Sequence, residues 1–273
     1  TAEVLVLYSL VGFILPLTCR LKDKWVFLLA CVLLIQPLPL YYVIRACLDP
    51  SFITPAIPTR SFWDATFAVQ SHGSFLETVR VNLWEGQIAS LAWAWDHGRV
   101  FQTAALFLLG MLIGRRGLFQ KENLKVWNKI LAGALIAFFP LYGLGNMLPA
   151  FIVNKSILTP LSLIITSLSN FSFMLVLVSG VIFAFYNTNM HYLLMKITPY
   201  GKMSLTNYIT QSIVGSMLYY NWGFALHNQC GITVSCLAGI AFFILQFTFC
   251  RWWMSHHSHG PMEYIWKRAT WLK

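Results

Sequence analysis

Charged side chains are scarce in this sequence. Asp, Glu, Lys and Arg make up only 10% of its 273 residues, while 58% are hydrophobic and the mean hydropathy is +0.64. Soluble globular domains carry about 25% charged residues. The composition therefore excludes an ordinary water-soluble domain. The formal net charge of +10 does not indicate nucleic-acid binding, because the basic residues lie between apolar runs and form no basic stripe.

Closely spaced metal-binding residues are also lacking. Zinc and iron-sulfur sites use close pairs of Cys and His, whereas the six cysteines here are far apart and have no neighbouring histidines. We therefore predict no metal site, and no cofactor motif is evident. Cys47 and Cys230 fall near the predicted outer ends of helices, and their pairing in an oxidising compartment is left open.

The long apolar runs that are present predict membrane-spanning helices. A helix needs about 20 mainly apolar residues to cross a bilayer, and the alternating pattern of barrel strands is absent. The predicted fold class is an all-α, polytopic transmembrane bundle with interfacial helices, forming a single transmembrane domain over residues 1–273. We predict about seven spans, near residues 2–18, 26–46, 98–114, 128–152, 160–186, 204–226 and 232–254.

The distribution of basic residues predicts the orientation. Lys and Arg accumulate on the cytoplasmic side of membrane proteins. If successive connections alternate between sides, 14 of the 19 basic residues fall on the side that contains Arg115 and Lys267. The sequence therefore predicts that Thr1 is outside and that the C-terminus is cytoplasmic.

The outer connection, residues 47–97, contains most of the polar candidates. We expect an amphipathic helix at the membrane interface over residues 74–95, because its tryptophans favour the headgroup region. His72 and Glu77 are candidate catalytic residues, since an imidazole or a carboxylate can move protons. Arg80, His97 and Arg99 are candidate substrate-binding residues. The alternative for Glu77 and Arg80 is an ordinary surface ion pair.

Ionisable side chains are nearly absent within the predicted spans. Proton relays and many ion-coupled carriers place such groups there, so this absence argues against a transporter, and no mid-span Lys offers a retinal-type Schiff base. Asn207 and Gln211 lie four residues apart on one helix face and are candidate substrate-binding residues; the alternative is that they bridge helices. Pro37 and Pro140 predict kinks or unwound turns in their spans.

Several motifs resemble those of one bacterial family. They are Gly-Lys-Met-Ser-Leu-Thr-Asn-Tyr at 201–208, Gly-Pro-Met-Glu-Tyr-Ile-Trp-Lys-Arg at 260–268, and the segments around 73–80 and 107–119. Together they resemble the YeiB-like inner-membrane family, whose C-terminal region is catalogued as domain of unknown function 418. The resemblance implies a location in the bacterial inner membrane. Its N-terminal motif is absent from this chain. The segment near 261–272 is expected to be an interfacial helix, with Glu263 suited to the helix dipole.

The resemblance also suggests an activity. The family is considered similar to transmembrane acyltransferases, which implies transfer of an acyl group from a cytoplasmic donor such as acyl-CoA to an extracytoplasmic acceptor, such as an envelope glycan or lipid. Pro and Gly residues in the fourth span favour an alternative, a carrier or exporter with a discontinuous helix. A non-catalytic membrane scaffold is the third hypothesis.

Overall fold

The computed structural model describes residues 4–49, 51–55 and 59–271, and the regular structure there is entirely helical. Residues 2 and 3 of the first predicted span and residue 272 of the C-terminal helix lie outside this part of the chain. Two 3₁₀ turns, Lys121–Asn123 and Leu226–Asn228, accompany the α-helices. The α-helices are α1 (Val4–Gly12), α2 (Ile14–Thr18), α3 (Asp23–Leu34), α4 (Pro37–Leu48), α5 (Thr59–His72), α6 (Phe75–Leu83), α7 (Glu85–Asp96), α8 (Arg99–Arg115), α9 (Leu124–Phe151), α10 (Lys155–Tyr186), α11 (Thr188–Lys202), α12 (Ser204–Tyr219), α13 (Ile232–His256) and α14 (Pro261–Trp271).

Three helical stretches are long and apolar enough to cross a bilayer by themselves: Lys121–Phe151, Lys155–Tyr186 and Ile232–His256. Two bent pairs, α3 with α4 and α7 with α8, bring the number of candidate spans in the described residues to five if each pair is one span. Ile136 and Leu245, on α9 and α13, are 74% and 68% exposed. Such exposed apolar surface suits lipid rather than water. The chain is therefore an α-helical membrane protein with three to five candidate spans.

The first and sixth predicted spans form shorter helices. Residues 5–18 form a short apolar helical segment, and α12 has 16 residues. The predicted interfacial helix over 74–95 is two helices, because the chain breaks at Trp84 between α6 and α7. None of the predicted spans covers residues 188–202, where α11 lies. Asn187 begins α11 by accepting hydrogen bonds at its side chain from the N–H groups of Asn189 and Met190.

The residues form two compact units, one from 63–85 with 187–271 and the other from 4–62 with 86–186, within the described ranges. In the second unit, α3 packs on α8 through Val26, Ala30, Leu108 and Leu112. α10 packs on both α4 and α9 and buries small hydroxyl side chains, including Ser167 and Ser179. Small residues let membrane helices approach closely. In the first unit, α11 packs on α13 and α12 packs on α14.

The prolines have different effects in different helices. At Gln36 the chain leaves the helical conformation (φ 61°), and α3 and α4 meet at a bend of 51°. Pro37 explains the break, since it lacks an N–H and disfavours helical geometry in the residue before it. In contrast, α9 continues through Pro140 and Pro149. The prolines of α9 therefore produce no unwound turn, whereas the break predicted at Pro37 is confirmed.

Candidate functional site

Two helix breaks meet in the second unit. α7 and α8 bend by 77° at Gly98, whose φ of +63° lies in the left-handed region that favours glycine. The Gln36 Nε2 group, at the other break, donates a hydrogen bond to the Gly98 carbonyl at 3.0 Å. We call the residues gathered here the polar corner, comprising Gln36, Gly98, Arg99, Gln102 and Ser167.

A hydrogen-bonded network holds the polar corner together. Gln36 Nε2 also donates to the Ser167 hydroxyl at 2.9 Å, and Gln102 Nε2 donates to the Ser167 carbonyl at 3.4 Å. Arg99 Nη1 donates to Gln102 Oε1 at 2.9 Å. Gln36 is fully buried, and its Oε1 has no hydrogen-bond partner among the described residues. A Cβ on Gly98 would lie 2.3 Å from that oxygen, so the break is closely packed.

His97 and Arg99, two predicted substrate-binding residues, flank Gly98 at the polar corner. The exposed His97 ring stacks on Trp93 with 4.6 Å between ring centroids, and its Nδ1 lies 2.9 Å from the Trp93 carbonyl oxygen. A carbonyl only accepts hydrogen bonds, so Nδ1 carries the proton and Nε2 has the lone pair in the neutral ring. The Arg99 guanidinium lies 5.9 Å from the centroid of the same Trp93 ring. A base and a fixed cation therefore lie close together.

The predicted catalytic residues His72 and Glu77 lie in the first unit, near the junction of α5 and α6. Ser74 caps α6, and the Glu77 carboxylate accepts hydrogen bonds from the Ser74 N–H at 2.8 Å and its hydroxyl at 2.9 Å. These bonds lower the pKa of the Glu77 carboxyl below its ordinary value. His72 and Arg80 are exposed. No ion pair joins Glu77 to Arg80 in the described part of the chain.

Asn207 and Gln211, the remaining predicted substrate-binding residues, belong to a network that joins α11, α12 and α13. Asn207 Nδ2 donates to the Tyr200 carbonyl at 3.1 Å, and Gln246 Nε2 donates to the Asn207 carbonyl at 3.3 Å. Gln211 Nε2 donates to Gln246 Oε1 at 2.9 Å and to the Tyr200 hydroxyl at 3.0 Å. The Cys250 thiol donates to Asn207 Oδ1 at 3.2 Å. These side chains hydrogen-bond across helices, as in the bridging alternative.

Glu263 has a role that the sequence did not reveal. Its Oε1 accepts hydrogen bonds from the N–H groups of Leu205 at 2.8 Å and Thr206 at 3.1 Å, at the start of α12. Its Oε2 accepts from the Thr206 hydroxyl, which itself accepts from the Met262 N–H at 3.1 Å. α12 has no side-chain cap of its own from Met203. Glu263 therefore supplies the cap from α14 and joins the two C-terminal motifs.

Two neighbouring arginines at the end of α8 organise the chain before α3. Arg115 Nη1 donates to Asp23 Oδ1 at 3.2 Å, and Arg116 Nε donates to Asp23 Oδ2 at 3.0 Å. Arg115 also donates to the carbonyls of Cys19 and Leu21. The first residue of α3 and the last residue of α8 are therefore held together.

The cysteines do not add a site. Cys47 and Cys230, whose pairing the sequence left open, are both free in the structure.

Comparison with known proteins places the chain among uncharacterised relatives. It is 30% identical over 95 residues to the uncharacterized protein YxaH of Bacillus subtilis (strain 168), covering 35% of this chain and 24% of YxaH. It is 29% identical over 83 residues to the uncharacterized protein YeiB of Escherichia coli (strain K12), covering 29% of this chain and 20% of YeiB.

A third relative is the uncharacterized 39.9 kDa protein in the amylase 3' region of Bacillus acidopullulyticus, 32% identical over 78 residues that cover 29% of this chain and 22% of the relative. The chain thus spans about a quarter or less of the length of the relatives it matches. No solved structure matches the chain.

The family match covers the C-terminal half and explains which motifs carry the likeness. A family model described as "Protein of unknown function (DUF418)" matches residues 113–273, which is more than half of the chain. The matched region contains the Glu263 cap and both motifs that it joins. The chain belongs to the DUF418 family.

Proposed function

We propose that the chain is part of a bacterial inner-membrane acyltransferase that crosses the bilayer about seven times. In this proposal an acyl group passes from a cytoplasmic donor such as acyl-CoA to an extracytoplasmic acceptor, an envelope glycan or lipid. The C-terminus lies in the cytoplasm. The single observation that carries the proposal is the pairing of a base, His97, with a cation, Arg99, at a helix break.

The depth of the polar corner supports a reaction within the membrane. Gln36 lies 11 residues beyond Trp25, which is about 16 Å along a helix and roughly half of a hydrocarbon core about 30 Å thick. Polar side chains at that depth are costly and are commonly functional. The polar corner is therefore a better candidate for the reaction than Glu77, whose carboxylate is occupied by capping.

His97 and Arg99, which flank Gly98 of the polar corner, account for the chemistry as follows. The acceptor hydroxyl oxygen attacks the thioester carbonyl carbon while His97 Nε2 takes the hydroxyl proton. Arg99 stabilises the negative charge that develops on the carbonyl oxygen. The carbon–sulfur bond breaks as the new ester bond is completed, and His97 returns the proton to the departing thiolate. The Nδ1 contact to Trp93 holds the ring in the tautomer that this step needs.

The test is acyl transfer by purified protein in lipid nanodiscs, using radiolabelled acyl-CoA donors with a panel of envelope glycans and lipids. We expect release of CoA coupled to a labelled acceptor, and about a 10²- to 10⁴-fold lower rate for His97→Gln. His257→Gln is the matched control, because His257 belongs to the first unit, stacks on Trp253 at 4.0 Å and contacts its carbonyl in the same way. A folded protein without transfer to any acceptor, or equal rates for both variants, would refute the proposal.

A small-molecule carrier is the second candidate, and the meeting of two helix breaks favours it. Discontinuous helices form the substrate sites of many transporters. The hydrogen bond from Gln36 to Gly98 joins two discontinuous helices at one point. α9, where the sequence predicted a discontinuity, is continuous and supplies none. Substrate accumulation in proteoliposomes without any acyl transfer would select the carrier, and its abolition by Gly98→Ala would locate the path.

A further inference from the structure

An apolar groove of about 570 Å³ lies between α2 and α8 in the second unit. Leu15 and Pro16 form one wall, and Phe107 and Met111 form the other. Gly110 also lines the groove, on α8, and a Cβ added to it would meet nothing within 4 Å. The groove therefore has an open floor over Gly110 that a flexible apolar chain can occupy.

One end of this groove is strongly basic. Cys19 lines the groove, and its carbonyl accepts a hydrogen bond from Arg115, which fixes the paired arginines at that end. Arg20 follows directly and is exposed, and the Arg116 side chain is 58% exposed. Arg115 and Arg116 contact the carboxylate of Asp23, and the exposed Arg20, Lys22 and Lys24 lie within three residues of Asp23 in the chain. The groove thus combines an apolar trough with an excess of positive charge at its mouth.

We propose that this groove binds one acyl chain of an anionic phospholipid, with the phosphate group at Arg20 and Arg116. Charge complementarity identifies the occupant, because the cytoplasmic leaflet carries the anionic lipids that basic juxtamembrane residues attract. Among the described residues, the ion pairs of Asp23 are with Arg115 and Arg116, so Asp23 does not pair with Arg20. The proposal does not depend on acyl transfer, since a bound lipid can be structural.

The experiment measures lipid retention by native mass spectrometry. Detergent-purified protein is delipidated and titrated with phosphatidylglycerol or with phosphatidylcholine carrying the same chains. We expect one phosphatidylglycerol to be retained in preference to phosphatidylcholine. Gly110→Leu, which fills the groove, lowers this binding at least fivefold, and Arg20→Gln lowers it about fivefold, as one cation beside anionic lipid predicts.

Two matched variants control for folding and for general charge. Gly133→Leu also adds a side chain in open space, but on α9, and Lys129→Gln removes an exposed cation there. Both should bind phosphatidylglycerol within twofold of the unaltered protein. Equal retention of the two lipids, or unchanged binding by Gly110→Leu, would overturn the proposal. Displacement of phosphatidylglycerol by palmitoyl-CoA at a concentration below that of the phospholipid would also overturn the proposal, because the groove would then be a thioester site.

Discussion

Replacing Glu263 should loosen the start of α12, because this carboxylate caps that helix from α14. Removal of a helix cap costs about 0.5 to 2 kcal/mol, and bonds to a charged acceptor lie toward the upper end. Glu263→Ala also leaves the Thr206 hydroxyl without its acceptor, so we expect a loss of about 2 kcal/mol. Glu263→Gln keeps an acceptor oxygen but loses the favourable charge at the helix N-terminus, which is worth about 0.3 to 1 kcal/mol.

The effect of pH follows from the same contacts. Partial burial acts to raise the pKa of the Glu263 carboxyl, but the hydrogen bonds from Thr206 and Leu205 outweigh burial and lower the pKa below the ordinary 4.5. Between the lowered pKa of the folded state and the ordinary pKa of the unfolded state, the unfolded protein binds more protons, so stability rises with pH in that range. The stabilisation is complete above pH 4.5 and is lost as the pH falls through the lowered value.

The assay is amide hydrogen exchange at Leu205 and Thr206, with reversible unfolding in mixed micelles as the global measure. We expect exchange at both amides to accelerate by more than tenfold in Glu263→Ala and by a few-fold in Glu263→Gln. The part of the protein's stability that is lost on acidification through Glu263 should be absent in both variants. Glu122→Gln, which alters an exposed carboxylate before α9, is the control. Equal effects of the Glu122 and Glu263 substitutions at these amides would refute the reasoning.

Three further predictions concern packing and topology. Gly98→Ala should destabilise the protein by about 1 to 3 kcal/mol in micelle unfolding, because φ is +63° and the new Cβ would approach Gln36 Oε1; Gly133→Ala should cost far less. Trp127→Phe should cost about 1 to 3 kcal/mol in the same assay, since the fully buried indole donates to the Leu118 carbonyl at 2.7 Å and that acceptor would lose its partner. Cysteines placed at positions 120 and 270 should react with membrane-impermeant maleimide from the same, cytoplasmic side, and labelling from opposite sides would overturn the topology.

Local signals made part of the fold predictable. α6 begins after Ser74 because a serine followed three residues later by Glu77 forms a capping box, and α14 begins at Pro261, a residue favoured at the first helical position. Pro37 likewise stands at the first position of α4, and α3 ends shortly before it. Long apolar runs likewise gave α9, α10 and α13 within a few residues. In each case, the residues that determine the structure are neighbours in the sequence.

The parts that were missed depend on distant partners. Glu263 was interpreted through its own helix dipole, whereas the groups it caps lie 57 and 58 residues away. α11 lies outside every predicted span, and it packs on α13, whose residues are distant in the sequence. For the candidate site, the sequence shows that His97 and Arg99 are two residues apart. It could not show that the Trp93 carbonyl selects the histidine tautomer.

The two helix breaks of the polar corner are best understood as one feature. Each break removes helical hydrogen bonds, and in hydrocarbon an unpaired backbone group costs several kcal/mol because no water replaces the lost partner. The Gly98 carbonyl accepts the N–H of Gln102 at 3.1 Å as α8 begins, and it also accepts a hydrogen bond from the side chain at the other break, Gln36. Ser167 on α10 accepts the second proton of the same amide. The Gln36 amide therefore links the two breaks to each other and to α10.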